Sequence, residues 1–217
     1  MYMESEVRKT VLIDFDGVIR HWPNIEMEEY AATLGLTSNP LFACAFSEQH
    51  LLPAITGQIS HDEWCDNVCV DLSRVYGDDA AVKLVNKWRS LYAEIDHEFL
   101  NNIRSLLSHG RLVLVTNATS RLHRDLAHAH LDQAFDDIVN SSEIGVAKPD
   151  VAFFERVMKR LNVKAEQCLF IDDTPRNVEA ARTLGIESLL HTSTRDTLNV
   201  IQAQCTSQAS DCSRNAS

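Results

Sequence analysis

Residues 10–18, TVLIDFDGV, decide how the chain folds. An apolar run from Val11 to Ile13 ends abruptly in two acids, Asp14 and Asp16, which are followed by Gly17. A continuous apolar run without alternation is typical of a strand that is buried on both faces, as in a parallel sheet. Open α/β sheets bind ligands beyond the carboxyl ends of their strands, which is where these acids fall. Because Asp and Gly also favour turns, this stretch alone does not distinguish a binding site from a polar turn.

Two later apolar runs end in polar residues in the same way. They are LVLV at 112–115, followed by Thr116 and Asn117, and LFI at 169–171, followed by Asp172 and Asp173. Strands of a parallel sheet point in one direction, so these ends are expected to converge on one edge. The convergence of three strand ends is much stronger evidence for a site than any one pair of acids.

The pattern between these runs predicts the domain organisation. Residues 19–93 read as helical throughout, whereas strands and helices alternate after residue 94, which indicates a parallel sheet with right-handed crossovers. The first strand has no equivalent partner until residue 112. We therefore predict an α/β core of residues 1–18 and 94–203, a helical insertion of residues 19–93, and a polar, disordered tail of residues 204–217.

The acids at the strand ends indicate a metal. Asp14, Asp16 and Asp173 offer hard oxygen ligands of the kind that suits Mg²⁺, a cation that also accepts substrate phosphate oxygens. The absence of Cys or His from this group argues against zinc. A carboxylate beside Mg²⁺ can act as a nucleophile, and a second carboxylate two residues further on can donate and accept a proton.

The other polar residues of the motifs indicate a phosphorylated substrate. The Thr116 hydroxyl and the Asn117 amide are candidates to hold phosphate oxygens. Lys148 supplies a local cation, which an anionic substrate requires because the chain carries a net charge of -11. Lys148 would also keep Asp14 ionised while a phosphate dianion approaches.

The composition excludes several classes of function. The net charge of -11 argues against a nucleic-acid partner held by a basic surface. No stretch approaches the ~20 apolar residues of a membrane span, and the first ten residues, MYMESEVRKT, lack the apolar segment of a secretory signal. We therefore expect a cytoplasmic protein without a membrane partner, and the sequence does not indicate its oligomeric state.

The six cysteines are expected to be reduced thiols, since no secretory signal accompanies them. His61, Cys65 and Cys69 follow one another at helical spacing, which is compatible in principle with a zinc site. No fourth ligand with suitable spacing accompanies them, so buried cysteines on a core-facing stripe are the preferred interpretation.

Taken in order, the motifs resemble those of the haloacid dehalogenase-like (HAD) hydrolase superfamily. The four motifs are DFDGV at 14–18, Thr116-Asn117, Lys148-Pro149, and Asp172-Asp173 within FIDDTPRNVEAARTLGI. This resemblance spans about residues 10–190, and four ordered motifs make it highly specific. It implies a doubly wound parallel sheet on which the helical insertion forms a C1 cap. The Asp-Asp motif is similar to that of the N-terminal phosphatase domain of soluble epoxide hydrolases.

The resemblance also implies a role for each motif residue. Asp14 would be the nucleophile and Asp16 the general acid/base. Mg²⁺ would be held by Asp14, the backbone carbonyl of Asp16 and Asp173, with Asp172 as an auxiliary ligand or a residue behind the ligands. The remaining expected roles are phosphate binding by Thr116 and Asn117 and charge stabilisation by Lys148.

We predict a Mg²⁺-dependent phosphatase that cleaves a small phosphorylated metabolite through an aspartyl-phosphate, under a cap that selects the leaving group. A phosphomutase or dehalogenase on the same scaffold is a first alternative, and a non-catalytic binding or regulatory module is a second. Family dehalogenases have a non-acidic residue at the position of Asp16 and need no metal, so Asp16 favours phosphoryl chemistry. The intact acids and Lys148 argue against a non-catalytic module.

Three further groups lie near the motifs or in the insertion, and for each we prefer a structural role. They are His21 and Trp22 after the first acids, Phe46, Trp64 and Trp88 in the insertion, and Arg121, His123 and Arg124 after the second motif. The functional alternatives are, in that order, contact with the substrate, lining of the inner face of the cap, and contact with phosphate.

Overall fold

The computed structural model describes residues 10–107 and 110–214, with the side chains of Asn24 and residues 205–214 excepted. Its strands are β1 (Thr10–Ile13), β2 (Arg20–His21), β3 (Glu94–Ile95), β4 (Arg111–Thr116), β5 (Asp137–Asn140), β6 (Cys168–Asp172) and β7 (Glu187–Leu190). Its helices are α1 (Asn24–Thr33), α2 (Leu41–Ala45), α3 (Glu48–Ile55), α4 (His61–Tyr76), α5 (Asp78–Arg89), α6 (His97–Leu106), α7 (Leu122–His128), α8 (Ser141–Ile144), α9 (Val151–Leu161), α10 (Pro175–Thr183) and α11 (Thr194–Arg214).

Five parallel strands form one sheet in the order β5-β4-β1-β6-β7. The central strand β1 pairs with β4 and β6, and Ile13 lies opposite both Leu114 and Ile171. This register brings the three strands that end in polar residues next to one another, with their ends at the same level. The predicted convergence on one edge follows directly from it.

Both faces of the sheet are covered by helices. Val11 and Ile13 pack in a core with residues of α6, α7 and α11. Leu12 points to the opposite face, where a second core includes residues of α9 and α10. Since successive side chains of a strand alternate between faces, a strand buried on both faces needs an unbroken apolar run. The predicted α/β fold with a doubly wound parallel sheet is confirmed.

Five helices, α1 to α5, lie between β2 and β3, two short strands that pair in antiparallel register. These helices share an apolar core of their own, which includes Met27, Leu41, Val68 and Leu84. We refer to α1–α5 as the cap. Because the chain enters and leaves the cap through paired strands, the cap stands on a two-stranded stem directly after the first acids.

The last helix corrects the prediction of a disordered tail from residue 204. The backbone of α11 is helical to Arg214, and residues 215–217 lie outside the described part of the chain. The sequence after Gly185 contains no Gly or Pro, so nothing in it interrupts a helix once one has begun. Low hydrophobicity was therefore a poor guide here. No helix among the described residues has the length and apolar character needed to cross a membrane.

Candidate active site

Lys148 lies at the centre of the converging strand ends. Its Nζ is 2.9 Å from Asp14 Oδ1 and 2.6 Å from Asp172 Oδ2, and it donates to the Val115 carbonyl at 3.1 Å. The Lys148 side chain is buried, and the Lys148–Pro149 peptide bond is cis. The structure thus brings together a lysine and two acids that are far apart in the sequence.

Asp14 follows the central strand and is buried. Its backbone N–H donates to the Ile171 carbonyl, and its Oδ1 accepts the Phe15 N–H at 2.7 Å. Burial raises the pKa of Asp14 to about 7, although the Lys148 ammonium opposes this shift. Burial disfavours the Lys148 ammonium too, but Asp14 and Asp172 outweigh it and raise the Lys148 pKa. The lysine therefore stays charged, while the charge of Asp14 remains costly.

Asp173 completes a group of three carboxylates. Asp14, Asp172 and Asp173 each offer one ligand oxygen, and these oxygens lie within 4.8 Å of one another. Asp173 approaches the chain at Gly17, where an added Cβ would lie 2.0 Å from Asp173 Oδ2. Gly17 also has a φ of +81°, which side-chain-bearing residues rarely adopt. The glycine of the first motif therefore makes room for the acid of the fourth.

We call Asp14, Asp172 and Asp173 the carboxylate cluster, and its charge fits a bound cation. When ionised, its three carboxylates carry three negative charges, against the single ammonium of Lys148. Buried carboxylates in excess of their cations are costly unless a further cation compensates them. Carboxylate oxygens are hard ligands of the kind Mg²⁺ prefers. The residues present therefore fit a magnesium ion.

Asp172 is the most fully bonded member of the cluster. Its Oδ1 accepts from the Thr174 N–H and from Asn177 Nδ2, and its Oδ2 accepts from Lys148 and again from Asn177 Nδ2. Asp172 is 0% exposed, whereas Asp173 is exposed. Asp172 thus fixes Lys148, and Asp173 presents the more accessible oxygens.

The carboxylate of Asp16 is not a member of the carboxylate cluster and is bound by Arg20 and Trp22. Arg20 donates to both of its oxygens at 2.7 Å, and Trp22 Nε1 donates to Oδ1 at 2.7 Å. The Arg20 guanidinium is held in turn over the rings of Phe15 and Trp22, at 4.3 and 4.9 Å from their centroids. Arg20 was not among the site residues predicted from the sequence. Trp22, for which a structural role was preferred, also contacts a predicted site residue, because its indole N–H binds Asp16.

The second motif lies beside Lys148. Thr116 is the buried last residue of β4. Asn117 brackets the backbone of Lys148, since its Nδ2 donates to the Lys148 carbonyl at 2.8 Å and its Oδ1 accepts the Lys148 N–H at 2.9 Å. The Asn117 amide is therefore bonded at both ends to the lysine loop, a use that the sequence did not indicate.

A cavity of about 190 Å³ lies between the cap and the core, next to Asp16 and Asn117. Phe46, Trp64 and Trp88 line it from the cap. These three residues therefore form the inner face of the cap, which was the functional alternative to the preferred core role. Trp64 also belongs to the cap core. The core contributes Arg121, which pairs with Asp125 and lines the cavity rather than a purely solvated face.

Two groups of His and Cys come together in the cap. His61 Nε2 lies 3.5 Å from Cys65 Sγ, and Cys65 is buried in the cap core as preferred. Potential ligand atoms of Cys44, His50 and Asp71 lie within 4.8 Å of one another. In this second group, however, the Asp71 oxygens already accept from His50 at 2.9 Å and from Arg74 at 2.5 Å. These contacts join α3 to α4 and account for the placement of His50 without a metal.

The fold and the site define an α/β enzyme with a lysine and a carboxylate cluster at the carboxyl edge of its sheet. The family model for haloacid dehalogenase-like hydrolases matches residues 8–185, and the chain belongs to this family. The resemblance of the four motifs is thereby confirmed.

Comparison with known proteins agrees. The GMP/IMP nucleotidase YrfG of Escherichia coli (strain K12) is 25% identical over 189 residues, which are 83% of this chain and 81% of the nucleotidase. The drimenol cyclase drtB of Aspergillus calidoustus is 45% identical over 56 residues, 26% of this chain, and the match spans only 11% of the cyclase. A HAD family enzyme of Bacteroides thetaiotaomicron, solved with magnesium and inorganic phosphate, superposes with a TM-score of 0.66 at 21% identity, over 84% of this chain and 93% of that one.

Proposed function

We propose that the protein is a Mg²⁺-dependent phosphomonoesterase that acts on a small phosphorylated metabolite through an aspartyl-phosphate on Asp14. The observation that carries the proposal is the contact of Lys148 with both Asp14 and Asp172, beside Asp173. The name of the related nucleotidase supports a phosphate ester as substrate. The magnesium and phosphate bound by the Bacteroides enzyme support the cofactor.

The first half of the reaction transfers the phosphoryl group to the protein. The Asp14 carboxylate attacks phosphorus, and the bond between phosphorus and the alcohol oxygen breaks. Asp16, which faces the cavity, gives its proton to the leaving oxygen. Lys148 offsets the negative charge that approaches Asp14, which lowers the cost of bringing a phosphate dianion to a carboxylate.

The second half releases phosphate. Asp16, now ionised, takes a proton from a water molecule, and the resulting hydroxide attacks phosphorus. The bond between phosphorus and the Asp14 oxygen breaks, which returns the Asp14 carboxylate and releases inorganic phosphate. The sum of both halves is one ester and one water converted to one alcohol and one phosphate.

Asp14, the Asp16 backbone carbonyl and Asp173 would hold Mg²⁺, with Asp172 behind them as the anchor of Lys148. The bound cation would supply neutralisation of the phosphoryl charge. The Thr116 hydroxyl would contact phosphate, whereas Asn117 would act by holding the lysine loop through its two hydrogen bonds to Lys148.

Phosphate release from p-nitrophenyl phosphate tests the proposal. We expect turnover with Mg²⁺, a large loss with EDTA, and a loss of at least about 10³-fold in Asp14→Asn, because this variant lacks the nucleophile. The exposed turn variant Asp132→Asn is the matched control for loss of a carboxylate and should keep full activity. Unchanged turnover in Asp14→Asn would exclude the mechanism.

Two further measurements separate the alternatives. Intact-mass analysis of quenched enzyme should show a phosphoryl adduct that is absent from Asp14→Asn. A phosphomutase would form this adduct without net phosphate release, and a binding module would form none. In thermal melts, Mg²⁺ should stabilise the wild-type protein but not Asp173→Asn, since a ligand that binds the native state alone raises its stability. A cytoplasmic location and the absence of nucleic-acid and membrane partners stay predictions from the sequence.

A further inference from the structure

The cavity beside Asp16 is built for an apolar group. From the cap, its wall contains Phe46, Trp64 and Trp88, which we call the aromatic wall. The ring centroids of Trp64 and Trp88 are 4.8 Å apart at an interplanar angle of 80°. Phe46 lies 6.0 Å from Trp64 and 6.5 Å from Trp88. Edge-to-face contacts of this kind hold the rings in fixed orientations and so preform the wall.

Phe46 leaves more aromatic surface uncovered than a core residue would. It is 53% exposed, whereas its neighbour Trp64 is 5% exposed. A large apolar side chain that lines a cavity and remains half exposed gains free energy when an apolar ligand covers it. Phe46 therefore marks the part of the wall that a ligand would bury.

The charged residues of the same cavity are already paired. Arg20 binds Asp16 and lies 3.3 Å from Asp125, and Arg121 binds Asp125 at 2.8 Å. Arg89 binds Asp66 at 2.9 Å. A polyol or a second phosphate on the leaving group would therefore compete with these carboxylates for donors. An apolar leaving group makes no such demand.

The volume indicates the size of the group that would fill the cavity. An apolar cavity of about 150 Å³ holds one benzene molecule, and this cavity measures about 190 Å³. It is continuous with Asp16, the proposed proton donor, and with Asn117, which brackets the backbone of Lys148. A phosphate at Asp14 would thus place its alcohol portion towards the aromatic wall.

We propose that the substrate is the phosphate monoester of an apolar alcohol, with a branched alkyl chain or single ring of about five to seven carbons lying on the aromatic wall. This inference rests on the proposed phosphatase function. It names the leaving group that the function leaves open, and Phe46 becomes a residue that determines specificity.

A pair of nearly isosteric substrates tests the inference. Both 3-methylbutyl phosphate and glycerol 3-phosphate are esters of primary alcohols and differ mainly in the polarity of the leaving group. We expect kcat/KM at least about tenfold higher for 3-methylbutyl phosphate, since one or two apolar groups in a pocket are worth this factor. Benzyl phosphate should behave like 3-methylbutyl phosphate, and inosine monophosphate should be poorer than both.

A variant pair assigns the preference to the wall. Phe46→Ala removes a half-exposed ring and should lower kcat/KM for 3-methylbutyl phosphate about tenfold, with little change for glycerol 3-phosphate. Tyr76→Ala is the matched control, because Tyr76 is another half-exposed aromatic residue of the cap. It is 42% exposed and is not among the residues that line the cavity. It should alter neither value.

The outcomes separate this inference from the proposed function. Equal hydrolysis of both esters, or better hydrolysis of glycerol 3-phosphate, overturns the apolar leaving group and leaves the phosphatase standing. If neither ester nor p-nitrophenyl phosphate is hydrolysed, the phosphatase proposal fails, and calorimetric titration of the wild-type protein with 3-methylbutyl phosphate still decides whether the apolar site exists. Binding with a negative heat-capacity change that Phe46→Ala reduces supports the apolar site, and no binding overturns it.

Discussion

Lys148 and Asp172 are the two residues that arrange the others at the site. Asp172 accepts four hydrogen bonds and is 0% exposed, so its orientation is fixed and it fixes the ammonium of Lys148. The charges of Lys148 and Asp172 balance each other, so a negative charge on Asp14 is not fully compensated. Burial therefore raises the pKa of Asp14 to about 7. A divalent cation at Asp173 would favour the ionised form of Asp14, the proposed nucleophile.

Gly17→Ala should disable the proposed cation site. The new Cβ would lie 2.0 Å from Asp173 Oδ2, so this carboxylate must leave its position beside Gly17. We expect kcat/KM for p-nitrophenyl phosphate to fall at least about tenfold, and half-saturation to require about tenfold more Mg²⁺. Activity measured across a magnesium titration checks this.

Gly35→Ala separates the clash from the backbone strain. Gly35 has a φ of +79°, nearly that of Gly17, but an added Cβ meets nothing within 4 Å. Both variants should lose about 1 kcal/mol of unfolding free energy for the strained φ, and only Gly17→Ala should change the magnesium requirement. An equal magnesium requirement in both variants would contradict the role assigned to Gly17.

The motif acids could be predicted from the sequence, but their partners could not. Asp14 and Asp173 follow the apolar strands β1 and β6, whose parallel pairing dictates where the two acids meet, whereas Lys148 lies in the loop before α9. Arg20 lies only four residues after Asp16, yet its contact depends on the turn that brings its backbone carbonyl to the Gly17 N–H. No periodic pattern reports such a turn.

At the scale of elements, α4 depends on its first residues. Ser60 accepts the Glu63 N–H at 3.2 Å, and the Glu63 carboxylate accepts the Ser60 N–H at 2.7 Å, which forms a capping box. Trp64 of the aromatic wall lies on α4, so the capping box at the start of this helix also helps to position the wall of the cavity.

Ser60→Ala should therefore destabilise the protein by about 1 kcal/mol, the usual cost of losing a side-chain N-cap. Ser38→Ala is the control for the loss of a serine hydroxyl, because Ser38 is an exposed residue of the cap that lies between α1 and α2. Urea unfolding of both variants checks the difference. A loss from Ser38→Ala equal to that from Ser60→Ala would show that the box contributes nothing.

Long, strongly patterned elements could be predicted well, and short or polar ones could not. The helix α9 is readable from the sequence, because its apolar positions recur at helical spacing up to Asn162, which ends the helix with a positive φ. The four residues of α8 are too few to show a period. The helix α11 was not predicted because most of its residues are polar, although Ile201 packs it against the core.

At the scale of the whole molecule, the cap contacts the core away from its stem. Gly57 lies against the backbone of Ser142, where an added Cβ would be 2.1 Å from the carbonyl oxygen. The backbone N–H of His61 donates to Ser120 Oγ at 3.0 Å. These contacts were not predictable from the sequence, because they join loops whose positions depend on the packing of both bodies.

His61 makes this contact between the cap and the core sensitive to pH. Its Nδ1 lies 3.0 Å from Thr119 Oγ1, and its Nε2 lies 3.3 Å from Arg121 NH1 and so accepts from the guanidinium. A proton on Nε2 would replace this hydrogen bond with repulsion between two cations. Burial first, and Arg121 second, lower the pKa of His61 to about 4, although Asp125 and Asp62 oppose the shift.

The sign of the stability change follows from this lowered pKa. The unfolded histidine has a pKa of about 6.5 and the folded one a pKa of about 4, so between these values the unfolded chain binds the additional proton. The contribution of His61 is therefore present above pH 6.5 and is lost as the pH falls towards 4. Between pH 7 and pH 5 the wild-type protein should lose on the order of 1–2 kcal/mol more unfolding free energy than His61→Gln.

Urea unfolding of both proteins at the two pH values measures this difference, with the exposed His97→Gln as the control for loss of a histidine. If the wild-type protein and His61→Gln lose the same unfolding free energy, protonation of His61 does not weaken the contact between the cap and the core. The cap would then be held to the core by its stem and by the Gly57 contact.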